Sequence, residues 1–208
     1  MGTITAKKIL DDAAVILQDL TGVRWPLSEG LSWLNDGQRA LVGLKPDAYV
    51  ENKTVQMGAG TKQDAPADAN GPVAVVRNMG SGTTPGPAVN PIAIQMLDSL
   101  VPDWHSATAS GETKFYMTDP GNVKKFYVYP PQPATPTYLE LVYPCLPVDV
   151  STNTDPITLD DGYVTALMDY VLFRSFSKET EAGSDARAAA YYNKFVLAIG
   201  AKDSAVKA

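Results

Sequence analysis

The chain has 208 residues, 45% of them hydrophobic and 19% charged, with a formal charge of -6. That is ordinary globular composition, long enough to bury roughly 70% of the unfolded surface without staples. One cysteine, Cys145, excludes an internal disulfide, no apolar run approaches the ~18 residues of a membrane span, and the first residues lack the basic-then-apolar order of a secretion signal, so a cytosolic place of synthesis and use is expected. Basic residues are scattered, with adjacent pairs only at Lys7-Lys8 and Lys124-Lys125. Tight binding to a phosphate backbone wants a concentrated basic surface and is not expected, although an acidic wall still lets DNA slide past.

Ala6, Ile9, Leu10, Ala13, Ile16, Leu17 and Leu20 recur at three- and four-residue spacing. This predicts a first helix from about Thr3 to Leu20 with one buried stripe, Thr3 as its N-cap and Gly22 as its stop. A second helix is expected from about Ser28, after Trp25-Pro26-Leu27, with Leu31, Leu34, Leu41 and Val42 inward. Asn35, Asp36, Gln38 and Arg39 then point elsewhere, and Pro46 ends the helix by disfavouring helical geometry at Lys45. The short link favours antiparallel packing.

From about Asp47 to Asp155 the pattern changes to short apolar runs between turn residues, and most prolines lie here. Strands are expected over Val73 to Met79, Lys114 to Thr118, Lys125 to Tyr129 and Tyr138 to Tyr143, the last two rich in aromatic and branched residues. Asp119-Pro120-Gly121-Asn122 suits a type II turn with a positive φ at the glycine. Gly58 to Gly71 and Gly80 to Asn90 have almost no large apolar anchors and read as mobile loops, places where partner contacts are common.

The last part returns to helix. Thr158-Leu159-Asp160-Asp161 fits a loose capping box. Behind it Tyr163, Ala166, Leu167, Tyr170, Val171, Leu172, Phe173 and Phe176 make a helix apolar around most of its circumference, hence central. A break near Gly183-Ser184 precedes a final helix with Ala188, Tyr191, Tyr192, Phe195 and Ile199 inward. The expected fold class is α+β: a four-helix bundle built from the two ends, residues 1-47 plus 156-208, with an inserted β-rich domain over residues 48-155.

Residues for chemistry are sparse. The one histidine, His105, has no nucleophile beside it in sequence and no Gly-x-Ser-x-Gly elbow to serve, so it reads as a loop histidine bonded locally. One His and one Cys do not build a typical zinc site. Asp11-Asp12 and Asp160-Asp161 are adjacent and so do not face one another on a helix. Gly58-Ala59-Gly60 and Gly80-Ser81-Gly82 lack the Gly-Lys-Ser/Thr ending of a phosphate loop. Pro130-Pro131-Gln132-Pro133 reads as a stiff connection between strands, with a polyproline ligand as the alternative. Tyr127, Tyr129, Tyr138 and Tyr143 suit either a half-buried sheet face or an interface. No catalytic residue, metal or cofactor is expected.

Arg24-Trp25, then Leu31-Ser32-Trp33-Leu34-Asn35-Asp36-Gly37-Gln38-Arg39-Ala40-Leu41 and Lys45-Pro46-Asp47-Ala48, resemble the N-terminal signature of tailed-phage head-to-tail adaptor (connector, or neck) proteins. Leu97-Asp98, Pro102-Asp103-Trp104-His105, Phe126-Tyr127-Val128-Tyr129-Pro130-Pro131 and Tyr138-Leu139-Glu140-Leu141-Val142-Tyr143 are similar to that family's β region, and Leu159-Asp160-Asp161 to Phe195 to its closing helices. The resemblance implies a virion protein assembled in the host cytoplasm. It implies a ring, usually of twelve subunits, between portal and tail, extending the DNA channel and docking tail or nozzle proteins, with no catalytic residues, no membrane contact and no specific DNA binding. On this reading portal contacts are expected on the helical bundle and the C-terminal tail, at Ile199, Gly200, Lys202 and Val206. Tail contacts are expected on the β domain, at Tyr127, Tyr129 and Pro131. The competing readings are a tail-completion or tail-terminator protein, a hydrolase whose distant residues converge, and a carbohydrate- or peptide-binding β module.

Overall fold

A computed structural model of the chain describes residues 2-119, 121-178 and 184-200. The fold is α+β, with five α-helices and two four-stranded sheets among the described residues. In chain order these are α1 (Ala6–Leu17), α2 (Leu27–Leu44), β1 (Val50–Gln56), β2 (Gly60–Asp64), β3 (Ala74–Gly80), β4 (Thr84–Ala88), β5 (Asn90–Pro91), α3 (Ile94–Leu100), β6 (Phe115–Thr118), β7 (Lys125–Gln132), β8 (Tyr138–Pro144), α4 (Val164–Ser177) and α5 (Asp185–Ala198). The chain divides into two compact units, Met1–Tyr49 with Pro147–Ala208, and Val50–Leu146.

In the helical unit α4 is the hub: α1 and α2 pack on it, and so does α5. Ile9, Leu34, Leu41, Leu167, Leu172 and Phe195 are fully enclosed in the shared core. Aromatic rings fill the α4/α5 seam, with Tyr170 against Phe195 and Phe176 stacked on Tyr191. The first helix is shorter at both ends than its apolar spacing predicts. Its N-cap is Thr5, not Thr3, and Gln18 in the left-handed region (φ 55°) closes it ahead of Gly22. Thr3 is engaged elsewhere: its N–H and hydroxyl, with the Ile4 N–H, donate to the Asp161 carboxylate. Thr158 is not a helix cap either, because its hydroxyl donates to the Val148 carbonyl. Asp160 caps the short 3-10 turn before α4, and Ser184 caps α5 by accepting from the Arg187 N–H; Gly183 lies outside the described residues.

In the β unit one sheet has the order β1-β8-β3-β4 and the other β2-β7-β6-β5. Burial alternates along β8, with Leu139, Leu141 and Tyr143 inward, and along β7 with Phe126 and Val128 inward, the period-two pattern of a sheet with one covered face. Leu97, Trp104 and Met117 make a smaller core under α3. β1 and α3 were not anticipated: β1 is a mostly exposed edge strand, and α3 is a seven-residue helix with one buried residue, Leu97.

The two segments that read as mobile loops are instead strands and ordered turns. Two buried side-chain amides hold them. Gln63 donates to the carbonyls of Gly58 and Gly60 and accepts from the Gly58 N–H. Asn78 donates to the carbonyls of Pro87 and Thr113 and accepts from the Thr113 N–H. Thr113, Gln132 and Thr137 continue that buried chain of hydrogen bonds. Gly80-Ser81-Gly82-Thr83 is a hairpin turn with positive φ at Ser81 (50°) and Gly82 (81°), the mirror-image turn that matches strand twist. β4 tolerates Pro85 and Pro87 because it is an edge strand. The β6–β7 turn is not type II at its glycine: Gly121 has no positive φ, and its N–H donates to the Asp119 carboxylate at 2.9 Å. Pro120 lies outside the described residues.

Candidate assembly surfaces

The Asn35-to-Arg39 run makes its contacts within its own unit. Asn35 donates to the Val150 carbonyl at 3.0 Å and accepts from the Val150 N–H at 2.9 Å, so one side chain satisfies a whole peptide of the returning chain. Asp36 accepts from Arg39 and from Arg174 of α4. Gly37 lets α2 approach Tyr170: a Cβ there would lie 3.0 Å from the ring. The fully buried Gln38 accepts from the Thr158 N–H, and Arg39 pairs with Asp149. Five consecutive residues therefore fasten α2 to residues 149-158 and to α4. Leu97, Asp98 and Trp104 likewise act internally, with the Trp104 indole N–H donating to Asp98 at 2.8 Å.

An exposed apolar corner surrounds the end of α1. Val15, Ile16, Leu20, Val23 and Leu27 are 44 to 81% exposed, within thirteen residues of chain. Ile16 and Leu20, read from spacing as part of a buried stripe, are exposed: Ile16 lies in the last turn of α1, and Leu20 follows the turn that closes the helix. Beside them lies an open cavity of about 310 Å³, walled by Leu10, Leu17, Leu20, Trp25, Leu27 and Trp33. Asp19 shapes its rim by accepting from the N–H groups of Val23, Arg24 and Trp25. Those bonds, that from Trp25 first, hold its carboxyl below the ordinary range. The Trp25 indole N–H donates to the Ser175 carbonyl and ties this corner to α4. Exposed apolar residues grouped in one short stretch beside an apolar cavity have the chemistry of an interaction site.

The groups that carry chemistry are spoken for. His105 is exposed and stacks on Trp104 with ring centroids 3.6 Å apart. Its Nδ1 is 2.8 Å from the Thr61 hydroxyl, a partner forty-four residues away rather than a local one. Among the described residues one group of potential metal ligands comes together, Glu51, Asp68 and Cys145. Lys53 already supplies a cation there, paired with Glu51 and, at 2.9 Å, with Asp68. Burial raises the Asp68 carboxyl, but the Lys53 hydrogen bond and charge outweigh it and lower the net value. The Cys145 thiol is pushed up to about 11, first by burial and then by Asp68 and Glu51; a thiol so protonated is a poor nucleophile and ligand. Asp11 and Asp12 pair with Lys7 and Lys8 one turn away.

The expected contact residues separate by burial. Ile199 is 2% exposed and sits in the helical core, whereas Gly200 is exposed with a φ of 71°. Lys202 and Val206 lie outside the described residues. Tyr127 and Tyr129 are half-buried against the Trp104 core. Pro130 and Pro131 belong to β7, and Pro131 is buried, so they form neither a connection between strands nor an exposed polyproline ligand. Tyr143 is a core residue. The apolar corner was not marked as a contact surface from sequence; its signal is four large aliphatic residues, Leu17, Leu20, Val23 and Leu27, continuing at helical spacing beyond a helix stop.

None of the helices is long and apolar enough to cross a membrane among the described residues. No curated protein matches the chain. A model of the SU10 adaptor protein family matches residues 4–207. The chain therefore belongs to the SU10 adaptor protein family, a structural family of phage head-to-tail adaptors, and is a virion component.

Proposed function

We propose that this chain is a head-to-tail adaptor that forms a ring, of twelve subunits by the family resemblance, between the portal and the tail. It extends the DNA channel and docks tail or nozzle proteins. The helices of the two chain ends act as a four-helix bundle that carries portal contacts, and the inserted β unit carries tail contacts. The observation that carries the reading is the family match over residues 4–207. The apolar corner at Val15, Ile16, Leu20, Val23 and Leu27 supports it, because a surface of that chemistry is built to be covered. A net charge of -6 suits a channel through which DNA moves without long-lived phosphate contacts. Neighbour contacts in a ring are mutually reinforcing, since each docked subunit raises the effective concentration of the next.

On this reading Gly200, Lys202 and Val206 contact the portal, with Ile199 anchoring the end of α5 beneath them. Tyr127 and Tyr129 offer their exposed parts to tail proteins, while Pro131, buried in β7, supports the strand that carries them. The test is negative-stain microscopy of the purified protein mixed with the portal protein from the same genome. A collar of added density on one face of the portal ring, with its symmetry, is the expected result. An undecorated portal with both proteins folded would overturn the reading in favour of a tail-side virion protein. A variant lacking residues 200-208 is expected to keep its circular dichroism spectrum and to decorate fewer portals.

A further inference from the structure

Asp169 lies on the hub helix α4 with 7% of its surface exposed. It makes no hydrogen bond or ion pair with any described residue. The cation whose field reaches it is Lys194 of α5. The Lys194 ammonium rests instead over the Tyr191 ring, 4.5 Å from its centroid. Burial pushes the Asp169 carboxyl above its ordinary range, and Lys194 offsets only part of that. One helical turn away on either side stand Thr165, which is exposed, and Phe173, half-buried, whose ring meets the exposed Tyr192 of α5 at 5.0 Å. Asp169 thus shares with Phe173 the α4 face that meets α5.

A buried ion without a partner destabilises its protein, and proteins keep such groups where they serve a function. We propose that Asp169 is a docking acceptor: the α4/α5 seam around it receives an arginine of the portal when the adaptor seats. Arginine fits because its guanidinium is weakly hydrated and planar, and its aliphatic stem can lie along the Phe173 and Tyr192 rings. The inference rests on the reading of the chain as a portal-docking adaptor. Among the described residues the charge is offset only in part, by Lys194, and assembly supplies the rest of the compensation.

Two measurements on Asp169→Asn test it. The free variant is expected to melt above the wild type, since the desolvated charge is gone. Its affinity for the portal, read from the concentration needed to decorate half the rings, is expected to fall at least about tenfold, with Asp169→Glu recovering part of the loss. A variant that melts below the wild type overturns the inference, because Asp169 is then already paired within its own chain. A variant that decorates portals as the wild type does also overturns it. A wild type that leaves portals bare overturns the functional reading itself, and this inference with it.

Discussion

Replacing Asn35 by alanine removes both arms of the clamp on the Val150 peptide. The bonds are 2.9 and 3.0 Å long and Val150 is buried, so water does not readily take their place. Each lost bond costs about 1.5 kcal/mol, within the roughly 1–3 kcal/mol of leaving a buried peptide group unpaired. The alanine returns roughly 0.5 kcal/mol of helix propensity, leaving a net loss of about 2–3 kcal/mol. For a unit of about 100 residues that lowers the melting temperature by roughly 10–20 °C. The assay is thermal unfolding followed by far-UV circular dichroism, in which the helical unit dominates the signal. Asn35→Asp keeps the acceptor for the Val150 N–H but turns a carboxylate toward the Val150 carbonyl, so it is expected to be destabilised as well. If Asn35→Ala melts within about 2 °C of the wild type, the clamp contributes nothing and the account of the Asn35-to-Arg39 run fails.

Two glycines of α2 make a paired prediction: Gly37→Ala drives a methyl against the Tyr170 ring and is expected to destabilise by about 1 kcal/mol net of its propensity gain, while Gly43→Ala, with nothing within 4 Å, is expected to stabilise by about 0.5–1 kcal/mol. Denaturant midpoints of the two variants check this, and shifts of the same sign refute it. Asp161 has its carboxyl held below its ordinary value of 3.8, first by the Thr3 hydroxyl and then by the Ile4 and Thr3 N–H groups. A depressed value means the tether of the N-terminal segment is fully present above the unfolded value and is lost as pH falls through the lowered folded value. The protection factors of the Thr3 and Ile4 amides, that is, their exchange relative to the intrinsic rate at each pH, are therefore expected to fall in acid and to be independent of pH in Asp161→Asn. Cys145, with its thiol at about 11, is expected to react with iodoacetamide at pH 8 at least about 100-fold more slowly in the native than in the denatured protein; equal rates would refute the burial argument.

The helices were legible because amphipathic spacing and capping chemistry act locally: Ile9, Ala13, Leu34 and Leu41 are buried where periodicity puts them. The longer strands were legible for the same reason, since the alternation of β8 is written in Leu139, Leu141 and Tyr143. The Gly- and Pro-rich segments were misread because their anchors are not aliphatic. A buried amide such as Gln63 or Asn78 looks in sequence like a surface residue, and only its hydrogen bonds to distant backbone reveal its role. Ile16 and Leu20 were misread for a different reason. Periodicity reports which residues share a face, not where a left-handed residue such as Gln18 will end the helix. The Asn35-to-Arg39 run was noticed as a pattern, but its partners, Val150, Thr158, Asp149 and Arg174, lie more than a hundred residues downstream.

That separation has a consequence for how the protein is made. α1 and α2 leave the ribosome first, yet α4, the hub they pack on, begins only at Val164. The β unit is contiguous from Val50 to Leu146 and can close on itself while the helical faces carrying Ile9, Leu34 and Leu41 still wait uncovered. Domains fold as units in the order their residues become available, and long-range contacts form late. The β unit therefore matures before the helices, and the seam between α4 and α5 exists only once residues 164-198 have all been made. A chain that stops short of α5 lacks that seam, so on the docking role proposed for it such a chain has nothing to seat on a portal.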